Sequence, residues 1–225
     1  QFPIWNQVLI LEYQIKDYAS LYSDSKECLS LFPSVAVVYL LHGVSSNQLQ
    51  KYEDAIDVLS AGNELILNDT LLAAEFNGQL GEAYFGIKDF EIGKTKYYKA
   101  LEYDPNSNLI KNNFAFRLAK SKIDLDLAES LAQKVLTTEP NQSQFIDTYG
   151  FVLFQKGLYN DALKFFIKAN SINSSDKIIL EHLGDAYSKL NEKEVALDWW
   201  KKAAAFDKPS EILLKKIKTN SYYEE

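Results

Sequence analysis

Two stretches decide how this chain folds: FIDTYGFVLFQKGLYNDALKFFIKA at 145–169 and ILEHLGDAYSKLNEKEVALDWWKKA at 179–203. Laid on one another, Gly150, Leu153, Ala162, Phe166 and Ala169 of the first fall on Gly184, Tyr187, Ala196, Trp200 and Ala203 of the second. Every pair is 34 residues apart. Small, large, small, large, small at a fixed period is the signature of a stacked supersecondary unit.

The pattern extends towards the N-terminus. Leu80, Gly81, Tyr84, Gly93, Tyr97, Ala100 and Pro105 form one copy, and Phe114, Ala115, Leu118, Ala128 and Pro140 the next, with one extra residue in the turn at 122–126. Tyr39, Gly43 and Ala55 belong to an earlier copy that ends in about four additional residues at 70–73. Trp5, Leu9, Cys28 and Pro33 make a degenerate first copy. The chain is therefore cut at 2–35, 36–73, 74–107, 108–142, 143–176 and 177–210, within a single domain spanning 1–225.

The composition agrees with helices. Nine glycines and five prolines in 225 residues are too few for a β-sandwich or barrel, which needs a turn every 8–12 residues or so. Hydrophobic residues are 47% of the chain, enough to build a core. The longest apolar run, Val35 to Leu41, is far short of the ~20 residues that cross a bilayer. With net charge −7, nucleic acid is not the expected partner. One cysteine, Cys28, excludes an internal disulfide and a zinc cage.

The spacing of small residues resembles the tetratricopeptide repeat (TPR), with Gly or Ala early in the first helix, two alanines in the second, and often a closing Pro. Departures are Leu21 where Ala is common, His42 where Leu is common, and Ser174 and Lys208 where Pro is common. The resemblance covers about nine-tenths of the chain and implies an all-α right-handed superhelix, a solenoid of about six helix-turn-helix repeats with a C-terminal capping helix. In the fifth repeat, helices are expected at 144–156 and 160–172, with Gly157 in the turn and Asn160 or Asp161 capping the second. Gly150 and Ala162 face each other, and Phe166 fills the gap one turn later. The cap helix, 211–218, turns Ile212, Leu213, Leu214 and Ile217 inward and leaves Lys215, Lys216 and Lys218 in water. Residues 222–225 are expected to fray.

Catalytic constellations are not evident. His42 sits at a core position, and His182, with Glu181 and Asp185 nearby but no second imidazole, reads as a surface histidine rather than a metal ligand. Cys28 occupies a small-residue packing position and reads as a structural thiol. Asp124/Asp126 and Glu192/Glu194 fall in turns, where solvated caps explain them better than acid–base chemistry. Trp199 and Trp200 read as partial surface and core. No enzyme activity, cofactor or metal is expected.

By the same resemblance, the first helices line a concave surface that binds extended or helical peptides. Its residues would be Asn112, Asn113 and Phe116 of the fourth repeat, Asp147, Thr148, Phe151 and Phe154 of the fifth, and Glu181, His182 and Asp185 of the sixth. Asn47 and Gln79 would continue it in earlier repeats. Asparagine and glutamine can pair with a peptide's own N–H and C=O groups, and the three phenylalanines form an apolar strip for an anchor side chain. Glu75, Glu82, Asp147, Glu181 and Asp185 against Lys120 and Lys189 make that wall mildly acidic, so the expected partner is a protein or peptide segment, neutral to basic, with an apolar anchor. The set of Lys, Asn and Arg that clamps the acidic tails of heat-shock chaperones is missing from every three consecutive repeats.

Asn112 to Ala115, Asp147 to Phe154 and Glu181 to Asp185 also resemble a group of bacterial TPR proteins, many exported and tethered at the outer membrane. That implies a cell-envelope location in the periplasm, lipid-anchored upstream of residue 1, with the cytoplasm as the alternative. A chain opening at Gln1 fits a removed leader. The leading function is a non-catalytic binding scaffold. The alternatives are an accessory domain of a larger enzyme or export assembly, and self-association through the poorly matched first repeat.

Overall fold

A computed structural model describes residues 1–206 and 209–224. Lys208, and Glu225 of the expected frayed end, lie outside them. The described residues form thirteen α-helices and no strand: α1 (Phe2–Gln14), α2 (Tyr18–Leu31), α3 (Ala36–Gln48), α4 (Tyr52–Asn63), α5 (Thr70–Gly86), α6 (Phe90–Tyr103), α7 (Asn108–Lys120), α8 (Leu125–Thr138), α9 (Ser143–Gln155), α10 (Tyr159–Ile172), α11 (Lys177–Lys189), α12 (Lys193–Ala204) and α13 (Glu211–Thr219). Six pairs follow one another at the repeat period, and α13 closes the series. None of the described helices is long and apolar enough to cross a membrane.

Each pair turns by the same device. The first helix ends with one residue in the left-handed region: Lys16, Gln50, Lys88, Lys122, Gly157 and Asn191. At that residue the N–H bonds back three positions, and the next N–H bonds back five. Gly157 N donates to Phe154 O (2.9 Å) and Leu158 N to Leu153 O (3.0 Å), and Lys88 and Asp89 do the same to Phe85 and Tyr84. This is a Schellman termination, which satisfies the carbonyls a helix end leaves open. Glycine adopts this conformation freely, whereas the other five positions hold side chains there at a cost of about 1–2 kcal/mol each.

After five of those turns the next residue is already the N-cap of the second helix. Asp17 and Asp89 act as N-caps, accepting from Ser20 N and Ile92 N, while Leu158 takes that place in the fifth repeat without a side-chain bond. The expected cap at Asn160 or Asp161 is thus displaced. The helix begins one residue early, at Tyr159, because the turn ends at Leu158, whose carbonyl already accepts from Asp161 N and Ala162 N. The additional residues at 70–73 form the first turn of α5, capped by Asp69, which accepts from Leu72 N at 2.9 Å.

Packing within a pair depends on a small residue sixteen positions before a large one. A methyl group on Gly81 would stand 2.6 Å from the Tyr97 ring, and one on Gly150 would stand 2.8 Å from the Phe166 ring. Gly43 against Leu59 and Gly184 against Trp200 make the same contact. The first repeat inverts it. Leu9 stands at the glycine position and Ser25 at the large one, both fully buried, and Leu21 fills the rest. Volume is exchanged between facing positions, which a core tolerates better than a net change.

The helices gather into two compact units, Gln1–Phe114 and Ala115–Glu225, the division falling within α7. In the first unit α2 packs on α3 and α4 on α5, around one core of Leu9, Leu21, Cys28 and Val38 and another of Leu59, Phe76 and Leu80. Tyr97 and Phe114 stack at 4.7 Å beside the second. In the second unit α8 packs on α9, α10 on α11 and α12 on α13, around Ile146, Phe154, Phe166 and Leu183, with a smaller core at Trp200 and Leu213.

Candidate functional site

In the second unit, α7, α9 and α11 each contribute one ring to a row. Phe116 lies 5.2 Å from Phe151 between centroids, and Phe151 stacks on His182 at 4.9 Å. Both phenylalanines are half-buried. His182 is not the surface residue the sequence suggests. Its side chain is only 12% exposed, and Phe166 closes its other side at 5.2 Å. Its Nδ1 lies 2.9 and 3.0 Å from the two Asp147 carboxylate oxygens, so Nδ1 carries the proton and donates it to that carboxylate. Burial by itself would push the imidazole pKa down. The carboxylates of Asp147, Asp185 and Glu181 outweigh it, and the pKa is raised.

Below this row lies an ion network. Lys216 of α13 is 2% exposed and donates from Nζ to Glu181 Oε1 (2.7 Å) and Asp185 Oδ2 (2.8 Å). Trp200 Nε1 donates to Asp185 Oδ1 at 2.9 Å. Burial pushes the Asp185 carboxyl up to about 6 against the opposing pull of Lys216. Lys216 was expected in water. It is buried because two acids of α11 await it, while Leu214, expected inward, is half exposed. A nine-residue helix seals its end of the stack by burying a cation that is fully paired.

The row and the network line a cavity of about 230 Å³, closed further by Lys120, Gln155 and Ile178 and by Tyr222, Tyr223 and Glu224. These residues do not fray as the sequence suggests. Tyr222 lies 5.6 Å from Phe154 and under Lys189 Nζ at 4.1 Å, and Lys215 Nζ covers the Tyr223 ring at 3.8 Å. Lys122 Nζ meets the Glu224 carboxylate at 2.7 and 2.9 Å.

The structure therefore brings Phe116, Phe151, Glu181, His182 and Asp185 to one cavity, with Asp147 behind His182. Thr148 is buried beside Asp147, and Phe154 is a core side chain packed between Tyr159 and Tyr222. Asn112 and Asn113 belong to the first unit, where Asn112 is buried with its Oδ1 unpaired. The polar residues of that unit serve the fold as well: Asn47 Nδ2 donates to the Gln79 carbonyl (2.9 Å) and to its side-chain oxygen (3.0 Å). Sequence reasoning missed Lys122, Lys216 and Tyr222 to Glu224. Only the run of two tyrosines and an acid at the end of the chain could have drawn attention to them.

His42 matches its expected core place: it is buried, stacked on Tyr22 at 4.7 Å and hydrogen-bonded to Ser25 Oγ at 2.8 Å, and burial lowers its pKa. Cys28 is buried, which raises its thiol pKa. Among the described residues no three His, Cys, Asp or Glu side chains gather as a metal site would require.

The Tetratricopeptide repeat family model matches residues 74–107, the third repeat as read from spacing alone. A tetratricopeptide repeat protein from Parabacteroides merdae superposes with a TM-score of 0.79, covering 97% of this chain and 84% of its own at 15% identity. YrrB, described as a TPR protein with an unusual peptide-binding site, superposes with a TM-score of 0.52 over 87% of this chain and 97% of its own, at 18% identity. A protein of Pyropia yezoensis called ycf37 is 28% identical over 136 residues, 60% of this chain and 74% of its own length. The chain thus carries a tetratricopeptide repeat at 74–107 and has the tetratricopeptide repeat fold. Its helices pair as that fold requires, and the repeat model falls on one of those pairs.

Proposed function

We propose that the chain is a non-catalytic scaffold that binds a protein or peptide segment along its first helices, using the row of Phe116, Phe151 and His182 in the second unit. One observation supports this reading above others: two half-buried aromatic side chains and a histidine line a cavity of about 230 Å³ rimmed by charged groups. A fold has no need of rings left partly open when its own core is already filled, and such rings are suited to receive an anchor side chain. YrrB, described as having an unusual peptide-binding site, shares the architecture at an identity that carries the fold and not the ligand. The envelope location suggested by the short motifs belongs to the same proposal, and fractionation of the source organism with an antibody to the chain decides it.

The test is a displayed peptide library selected against the purified protein, followed by affinity measurements on Phe116→Ala and Phe151→Ala. A loss of about 1–3 kcal/mol, roughly five- to 150-fold in Kd, is expected from either change. Selected peptides that bind both variants as well as the parent would remove the row as their site.

A further inference from the structure

The chain after α13 does not leave the surface. Asn220 adopts the left-handed conformation (φ 47, ψ 46), its N–H bonding to Lys216 O, and Ser221 N bonds to the same carbonyl at 3.3 Å. After that ending, residues 221–224 run back to Phe154 of α9 and to Lys122, just after α7. We propose that this segment is an intramolecular ligand of the second-unit site. The external partner of that site then presents the same chemistry, an aromatic side chain followed one or two residues on by a carboxylate, and must displace the segment to bind. This rests on the scaffold reading above and states which segment the scaffold holds.

Three observations carry it. First, the contacts of the segment are those of a bound peptide. One ring, Tyr222, packs on Phe154 beneath a lysine, and one acid, Glu224, pairs with Lys122. Second, the charge available to a ligand is opposite to what the composition of the wall suggests. Asp147 faces His182, and Glu181 and Asp185 are spent on Lys216, while Lys122 and Lys189 point at the segment. A basic partner finds these acids already paired. Third, the hold is graded. Lys216, beneath the segment, is buried and doubly paired. The Lys122–Glu224 pair is about half exposed on both sides, a setting in which ion pairs hold only weakly. A segment held this weakly at its acidic end can be exchanged for another.

The experiment uses the fluorescein-labelled peptide Asn-Ser-Tyr-Tyr-Glu-Glu, copied from residues 220–225. Its binding is followed by fluorescence polarisation against the full chain, a chain ending at Asn220, and the full-length variant Glu224→Lys. A tethered segment competes at high effective concentration. The peptide should therefore bind the shortened chain at least about tenfold more tightly than the parent, and the Glu224→Lys variant a few-fold more tightly, as the loss of one half-exposed ion pair allows. The peptide Asn-Ser-Tyr-Tyr-Lys-Lys should bind none of them measurably. Because Glu224→Lys alters one exposed side chain, it answers the question even where the shortened chain misfolds. Equal affinity for all three proteins overturns the proposal, as does preference for the lysine peptide. Dimers of the full chain that dissociate when peptide is added also overturn it, since the segment would then serve a second copy. Peptides from the library that bind parent and Glu224→Lys alike at the Phe151 row would leave the scaffold reading standing and remove this one.

Discussion

In the first hairpin, Leu9 and Leu21 fill the interior, Ser25 takes the place of a large side chain, and α1 with its C-cap leaves Ile4, Leu11 and Ile15 exposed. In the last, Gly184 admits Trp200, and α13 covers what remains with Leu213 and a paired, buried Lys216. Both hairpins have the same turn and the same spacing between facing positions. They differ in what holds them: interchangeable apolar volume in one, and a polar network with one permitted geometry in the other. The difference teaches that a repeat's shape is set by its spacing, whereas its specificity is set by whatever buried polar groups the neighbouring helix must satisfy.

The largest effect is expected where that network is broken. Lys216→Ala leaves Asp185 and Glu181 buried or half-buried with no cation and should cost about 3–5 kcal/mol in urea unfolding. Lys216→Met, which keeps the volume of the stem, should still lose most of it while the acids remain. A cost below 1 kcal/mol for Lys216→Ala would show that α13 is held by its apolar residues, Leu213 and Ile217.

A smaller effect separates the two kinds of packing. Leu9→Ala removes a fully buried side chain and should cost about 2–5 kcal/mol by opening a cavity. Gly184→Ala adds one methyl group against the Trp200 ring and should cost about 1–3 kcal/mol by overpacking. Denaturation midpoints compare them directly. The inverse ranking would mean that the first hairpin collapses around lost volume and the last cannot shift to accept more.

The smallest effect depends on pH. Burial and then the charge of Asp24 push the Glu12 carboxyl in α1 up from 4.5 to about 7. The folded hairpin thus holds this proton more tightly than the unfolded chain. The stability it lends is complete below about pH 4.5 and is lost as pH rises through 7. Hydrogen exchange of α1 and α2, corrected for intrinsic rates, should show less protection at pH 8 than at pH 5.5. Glu12→Gln should flatten that difference, and a difference that survives the substitution would assign it to another group.

Much of the architecture was readable from spacing. Gly81 and Tyr97, or Gly150 and Phe166, announce a close approach of two helices before any coordinates are known, and the repeat starts at 36, 108, 143 and 177 coincide with α3, α7, α9 and α11. Turns at 122–126 and near Glu192 were placed as well, but among the left-handed residues only Gly157 was named as a turn former. Lys16, Gln50, Lys88, Lys122 and Asn191 adopt the same left-handed conformation with no glycine to mark it, because the two hydrogen bonds of the turn outweigh a modest steric cost. His182 and Lys216 were placed in water because a helical pattern sees neighbours three and four positions away. Their partners, Asp147 and the pair Glu181 and Asp185, lie 31 to 35 residues distant.

The sequence by itself determined that this chain pairs and stacks helices at a period near 34 residues, since a methyl group or its absence at a contact is a local property of one residue type. Only the tertiary structure decided which polar side chains are spent inside and which cations remain to meet a ligand. The ionic state and reach of a buried group depend on charges brought from other helices, and no window along the chain contains them. The same holds for residues 221–224, whose place depends on one left-handed residue at Asn220 and on a lysine about a hundred positions earlier.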